Sequence, residues 1–126
     1  KEQIKTTLEV FQELSGFEGG DLEKKYKKLS GSYEDANSRA EALSERIASI
    51  DKVGQDLFSE WQAEIASMRN PELRTRSQEL LRTTRASHQQ YLRRMRTAEK
   101  KIGPVIQAFH DQVTFLKHNL NAKAVG

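Results

Sequence analysis

The sequence predicts an all-α fold: an elongated antiparallel coiled-coil hairpin with a third, N-terminal helix packed at its open end. Three observations carry this expectation. Nine apolar residues from Leu22 to Ile50 recur at alternating steps of four and three, the spacing of a left-handed coiled-coil seam. A second periodic stretch follows Asn70-Pro71 and runs almost to the end of the chain. The 126 residues include only 2 Pro and 7 Gly, too few turn formers for a sandwich or a barrel. Residues 1–126 read as a single helical domain.

The first helix, over about residues 1–15, carries Ile4, Leu8, Phe11 and Leu14 on one stripe, with Thr6 and Thr7 as its weak points. Gly16, Gly19 and Gly20 end it, because no helix interior tolerates that cluster. Asp21 is placed to cap the next helix, over about residues 21–69, with Glu23 complementing its dipole. Its seam is Leu22, Tyr26, Leu29, Tyr33, Ala36, Ala40, Leu43, Ile47 and Ile50. Beyond Ile50 the strict repeat gives Gly54, Leu57 and Trp61, while Val53, Phe58 and Ile65 compete with it. The seam is therefore expected to drift or widen there.

Asn70 before Pro71 is the strongest break, since Asn suits an N-cap and Pro the first helical position. The third helix, over about residues 71–122, has Leu73, Ser77, Leu80, Thr84, His88, Tyr91, Met95, Ala98, Ile102, Val105, Phe109, Val113, Leu116 and Leu120 as its expected seam. Gly103-Pro104 predicts a kink rather than an end, because the apolar phase continues through it. With the turn at Asn70, facing residues should have numbers adding to roughly 140. That register sets Gly54 against the bulky His88 and Ala40 against Ile102, so that small meets large. It also sets Asp56 near Arg85 and Glu64 near Arg76. The first helix is expected to fold back over the Leu22–Tyr33 end, beside Val105–Leu120.

Charge is unevenly placed. Arg69–Lys101 holds ten Lys or Arg against three Glu, whereas Asp21–Met68 holds ten acids against seven bases. Arg74, Arg82, Arg85, Arg93, Arg96 and Lys100 fall on one helical stripe, a candidate polyanion face for nucleic acid or an anionic lipid surface. The plainer reading is that acids on the neighbouring helix neutralise it, as flanking charges do in coiled coils. One Trp and no interleaving of basic and aromatic residues disfavour sequence-specific reading of nucleic acid.

No catalytic residue, metal site or cofactor is expected. With no Cys there is no thiol nucleophile or thiolate ligand. His110 and His118 stand two helical turns apart, roughly 12 Å, too far to share a metal within one chain. His88 lies on the seam and reads as a core imidazole. Gly19-Gly20 before Asp21 offers an anion-binding helix start, but Glu18 and Asp21 would repel a phosphate, and a tight connector is the simpler reading. The sequence also predicts an interaction surface. Val53, Phe58, Ile65, Leu81 and Leu92 sit beside the expected seam, and two helices alone bury only a narrow stripe. These five are expected to stay partly exposed for self-association or a protein partner; the competing reading is that they widen the two-helix core.

Several segments resemble a known family. Phe17-Glu18-Gly19-Gly20-Asp21-Leu22-Glu23-Lys24-Lys25-Tyr26 is similar to its helix-start segment. Ser38-Arg39-Ala40-Glu41-Ala42, Ser44-Glu45-Arg46-Ile47 and Leu57-Phe58-Ser59-Glu60-Trp61 resemble its second helix. Asp111-Gln112-Val113 and Leu116-Lys117-His118-Asn119-Leu120-Asn121-Ala122 resemble its C-terminal motif. The family is one of uncharacterised helical proteins from Gram-negative bacteria, classed as a domain of unknown function. Its members carry a lipoprotein-type signal, so the resemblance implies the periplasm or cell envelope and membrane tethering through an N-terminal lipid anchor that this sequence does not include. It implies no activity and no site residues. The expected function is a non-enzymatic structural or protein-interaction module of the envelope, with polyanion binding as the alternative.

Overall fold

The computed structural model describes residues 5–126, of which 92% are helical, with no strand among them. Three helices follow in order: α1 (Thr7–Ser15), α2 (Gly20–Ser67) and α3 (Pro71–Val125), with α2 and α3 packed together. Ile4, expected on the first stripe, lies outside the described residues.

The boundaries follow from local chemistry. Thr6 does not weaken α1 but starts it: its hydroxyl accepts from the Glu9 N–H at 3.2 Å, satisfying one orphan donor of the first turn. Gly16 closes α1 at φ 74°, where its N–H donates to the Gln12 carbonyl at 2.8 Å. Only glycine adopts that conformation freely. Asp21 is not the cap expected for α2. The helix begins one residue earlier, at Gly20, and the Glu23 carboxylate reaches back to the Gly19 N–H at 3.3 Å. Asn70 caps α3 as expected, its Oδ1 accepting from the Glu72 and Leu73 N–H groups at 3.0 and 3.1 Å. α3 continues through Pro104, although proline removes the hydrogen bond to the Lys100 carbonyl.

The chain forms two compact units. The first takes residues up to Ser38 together with Pro104–Gly126. In it Leu8 of α1 and Val113 and Leu120 of α3 are buried, and Leu120 is 0% exposed. The α1 side chains line one cleft with Tyr26–Glu34 of α2 and another with Lys117–Val125 of α3. The Tyr33 ring meets Phe109 edge-on at 5.8 Å. Leu14, expected to cover this end, is exposed, and Leu8 alone in α1 is fully buried. A helix of nine residues presents one stripe, and Leu14, six residues after Leu8, stands about 120° round the helix from it.

The second unit, Arg39–Gly103, holds a core cluster of Phe58, Ile65 and Leu81, against which Trp61 and Met68 pack. Each of the three buried side chains contributes roughly 1.5–3 kcal/mol by leaving water. Every one of the nine expected α2 seam positions from Leu22 to Ile50 is buried or half-buried. After Ile50 the buried face runs through Gly54, Phe58, Trp61, Ile65 and Met68. Two successive four-residue steps, Ile50 to Gly54 to Phe58, rotate the stripe toward Phe58 and away from Leu57.

On α3 the expected seam is displaced at alternate positions. Leu81, Leu92, Glu99 and Ile106 face inward, while Leu80, Tyr91, Ala98 and Val105 are exposed. Both phases share His88, Met95, Ile102 and Phe109, so the pattern left two flanks open. Aliphatic Leu92 and Ile106 bury more completely than Tyr91, whose hydroxyl needs water or a partner. As the α2 number rises from Asp51 through Phe58 to Trp61, its α3 partner falls from Arg96 through His88 to Ser77.

Candidate functional site: two flanks of the Arg39–Gly103 unit

Between the flanks lies an interlock. Gly54 stands where a Cβ would come 2.3 Å from His88 Nε2, so only a glycine admits the ring at that point. The His88 ring meets Phe58 edge-on at 5.3 Å, and its buried Nε2 has no hydrogen-bond partner. The expected pairing of Gly54 with His88 is thus observed. Ser77, a polar residue on the expected seam, is explained by Trp61, whose indole N–H donates to the Ser77 Oγ at 2.9 Å.

One flank is apolar. Ile50, Val53, Leu57 and Thr84 line an open cleft of about 520 Å³ whose wall is nearly all carbon. Val53, Leu57, Leu73, Leu80 and Tyr91 are each about half exposed. Val53 and Leu57 line the cleft, and Leu73, Leu80 and Tyr91 recur at helical spacing with Thr84, which places them on the same side of α3.

This corrects the predicted interaction surface. Phe58, Ile65, Leu81 and Leu92 are 4–6% exposed and form the core, and of the five expected residues only Val53 remains exposed. Leu57, Leu73, Leu80 and Tyr91, expected in the seam, take the exposed positions instead. The adjacent pairs Leu57-Phe58, Leu80-Leu81 and Tyr91-Leu92 each place one large side chain in the core and its neighbour on the apolar flank. Whichever neighbour turns inward, the other faces water.

The other flank is basic. Arg74, Arg82 and Arg85 line one groove of about 580 Å³ with Gln62, Gln78 and Gln89. Arg93, Arg96 and Lys100 lie outside it. Arg82 is engaged by Glu79, its Nε donating to Oε2 at 3.1 Å and a terminal nitrogen to the other carboxylate oxygen. This holds the Glu79 carboxyl below its usual range. The Arg85 guanidinium lies 5.5 Å from the Phe58 ring centroid, a cation–π contact that orients it.

The expected neutralisation by acids across the helices is seen at Arg96, which donates to Asp51 at 2.7 Å. Asp56 and Glu64 do not meet Arg85 and Arg76. Asp56 pairs with Lys52 and Arg76 with Glu72, each one helical turn away, because those partners lie within reach on their own helix.

The Arg96 hydrogen bond, opposed by burial and aided by Gln55, depresses the Asp51 carboxyl below its ordinary value. A depressed folded-state value stabilises the fold above the unfolded carboxylate value of about 3.9, and the contribution is lost as pH falls through the folded value. Asp51→Asn is therefore expected to flatten the acid limb of the urea midpoint plotted against pH, leaving the shape at neutral pH unchanged. An unaltered acid limb would show that Asp51 and Arg96 do not pair in solution.

The remaining candidates hold no second site. The Gly19 N–H that opens α2 is filled by Glu23, whose carboxyl is lowered chiefly by the Gln12 side chain and also by that N–H. His110 contacts Asp111 at 3.5 Å and the Tyr33 ring at 5.5 Å between centroids. Among the described residues no three His, Asp or Glu converge, and no helix is long and apolar enough to cross a membrane.

The family described as a protein of unknown function, DUF2959, matches residues 1–126. No curated protein and no solved structure matches the chain.

Proposed function

We propose that this chain, which belongs to the DUF2959 family of proteins of unknown function, is a non-enzymatic structural or protein-interaction module of the bacterial cell envelope, with α2 and α3 forming an antiparallel coiled-coil hairpin. The observation that carries the reading is the half-exposed face of Val53, Leu57, Leu73, Leu80 and Tyr91 beside a filled core. Its occupant is a second copy of the chain. Glu60 and Glu64 follow Leu57 on α2, while Arg76 and Arg94 stand one turn from Leu80 and Tyr91 on α3. A two-fold pairing that lays each α2 on the partner's α3 sets acid against base around an apolar centre. The envelope location rests on the resemblance of the Leu116–Ala122 segment and its companions to proteins with lipoprotein-type signals.

Sedimentation of the wild type against a Leu57→Ser, Leu80→Ser double variant tests the association. The wild type is expected to dimerise at micromolar concentration and the variant to remain monomeric with unchanged helicity. If both sediment as the same monomer throughout that range, self-association is wrong.

The second reading is polyanion binding to nucleic acid or anionic lipid. It is favoured by the convergence of Arg74, Arg82 and Arg85 on one groove.

A further inference from the structure

We infer that the groove bearing Arg74, Arg82 and Arg85 binds an acidic peptide segment in extended conformation. The inference rests on the reading of the protein as an interaction module, but it uses the flank opposite the apolar face.

The groove follows α3 for several turns. At about 1.5 Å per residue, the α3 residues from Arg74 to Gln89 span roughly 22 Å, and Arg74 and Arg85 stand about 16 Å apart along the axis. A single small anion satisfies one of these guanidinium groups and leaves the other in water. A chain advancing about 3.3 Å per residue covers the gap with five residues. Because alternate side chains of an extended chain share one face, its acids and apolar residues separate onto opposite faces.

The chemistry of the lining agrees. No carboxylate lines the groove. Among the described residues neither Arg74 nor Arg85 has an ion-pair partner, so both are free to bind a carboxylate through their forked N–H groups. Gln62, Gln78 and Gln89 each offer an acceptor and two donors, matching a peptide backbone that must both donate and accept. The floor of Ile65 and Leu81 takes small apolar side chains. No aromatic ring lines the groove, so the stacking that single-stranded nucleic acid needs is missing. A bilayer surface offers no repeating peptide backbone for the exposed amides of Gln62, Gln78 and Gln89 to pair with.

Arg82 supplies a gain-of-binding test. Its fork is occupied by Glu79 on the same helix, with both side chains well exposed. Removing that carboxylate frees the fork for the ligand without touching the core.

The experiment is fluorescence anisotropy at low salt with a labelled eight-residue peptide alternating glutamate and valine. The peptide is expected to bind, with affinity falling as salt is raised. The Arg74→Gln, Arg85→Gln double variant is expected to weaken it about tenfold, from two exposed ion pairs, and Glu79→Gln to tighten it. The Leu57→Ser, Leu80→Ser variant should bind as the wild type does, which separates this site from the dimer face.

Absence of binding, equal affinity for a glutamine-for-glutamate peptide, or indifference to the two arginines would overturn the proposal. So would displacement of the peptide by a lower concentration of oligothymidine or of phosphatidylserine vesicles, either of which would give the groove to the polyanion reading instead.

Discussion

Truncating Phe58 to alanine is expected to lower the free energy of unfolding by about 3–5 kcal/mol, the usual loss for a buried aromatic ring. Phe58 is 5% exposed and completes the cluster with Ile65 and Leu81. It is also the surface on which two α3 side chains rest, the His88 ring edge and the Arg85 guanidinium. Its loss opens a cavity and releases both contacts together. Leu57, one residue earlier, is 58% exposed, and Leu57→Ala is expected to stay within about 1 kcal/mol of the wild type. Urea denaturation of both variants, followed by circular dichroism, decides which neighbour faces α3. Equal losses would mean that the stripe is not rotated after Gly54.

The second large effect comes from adding atoms. Gly54→Leu is expected to destabilise the protein by about 3 kcal/mol, at the upper end for an overpacked contact. The new Cβ alone would fall 2.3 Å from Nε2 and 2.7 Å from Cε1 of His88. Helix propensity argues the other way, because glycine in a helix interior costs about 1 kcal/mol relative to alanine. The sign of the change therefore separates tight packing from local preference. Adding His88→Ala to the Gly54→Leu variant should recover much of the loss, since the leucine then fills the space the imidazole left. Two variants that are each harmful but compensate when combined show direct contact. Simple addition of the two losses would rule out the interlock.

How much of this was legible in the sequence depends on which side of Ile50 one looks. From Leu22 to Ile50 the repeat had one solution, and all nine positions face inward. The Asn70 cap and the meeting of Gly54 with His88 were legible for a similar reason: each position admits few residue types. The flank of α3 was not legible from periodicity. Steps of three-four and four-three through His88, Met95, Ile102 and Phe109 are equally regular. Leucine at both 80 and 81 leaves the sequence no basis for a choice there, and the inward turn of Glu99 in place of Ala98 runs against hydropathy, so only Leu92 against Tyr91 follows from side-chain chemistry. The identity of the surface residues depended on that choice, so four of the five expected there turned out to be core. The arginine stripe was visible as a stripe. That only Arg74, Arg82 and Arg85 share a groove depends on Gln62 and Ile65 coming from α2, which the α3 sequence alone does not contain.

The turn at Asn70 also shapes how the Arg39–Gly103 unit can assemble. The contact between Trp61 and Ser77 joins residues 16 apart in the chain, whereas that between Asp51 and Arg96 joins residues 45 apart. Once the helix start at Pro71 is set and the first pair has met, each further pair requires only a few more residues to be ordered. The entropy of closing the chain is thereby met in small instalments, since the penalty grows only logarithmically with loop length. Zippering of this kind is expected to make folding fast, because each step closes only a short loop. The order is therefore expected to run from the indole outward, with the end nearest the turn as the seed and the Asp51–Arg96 pair as a late arrival.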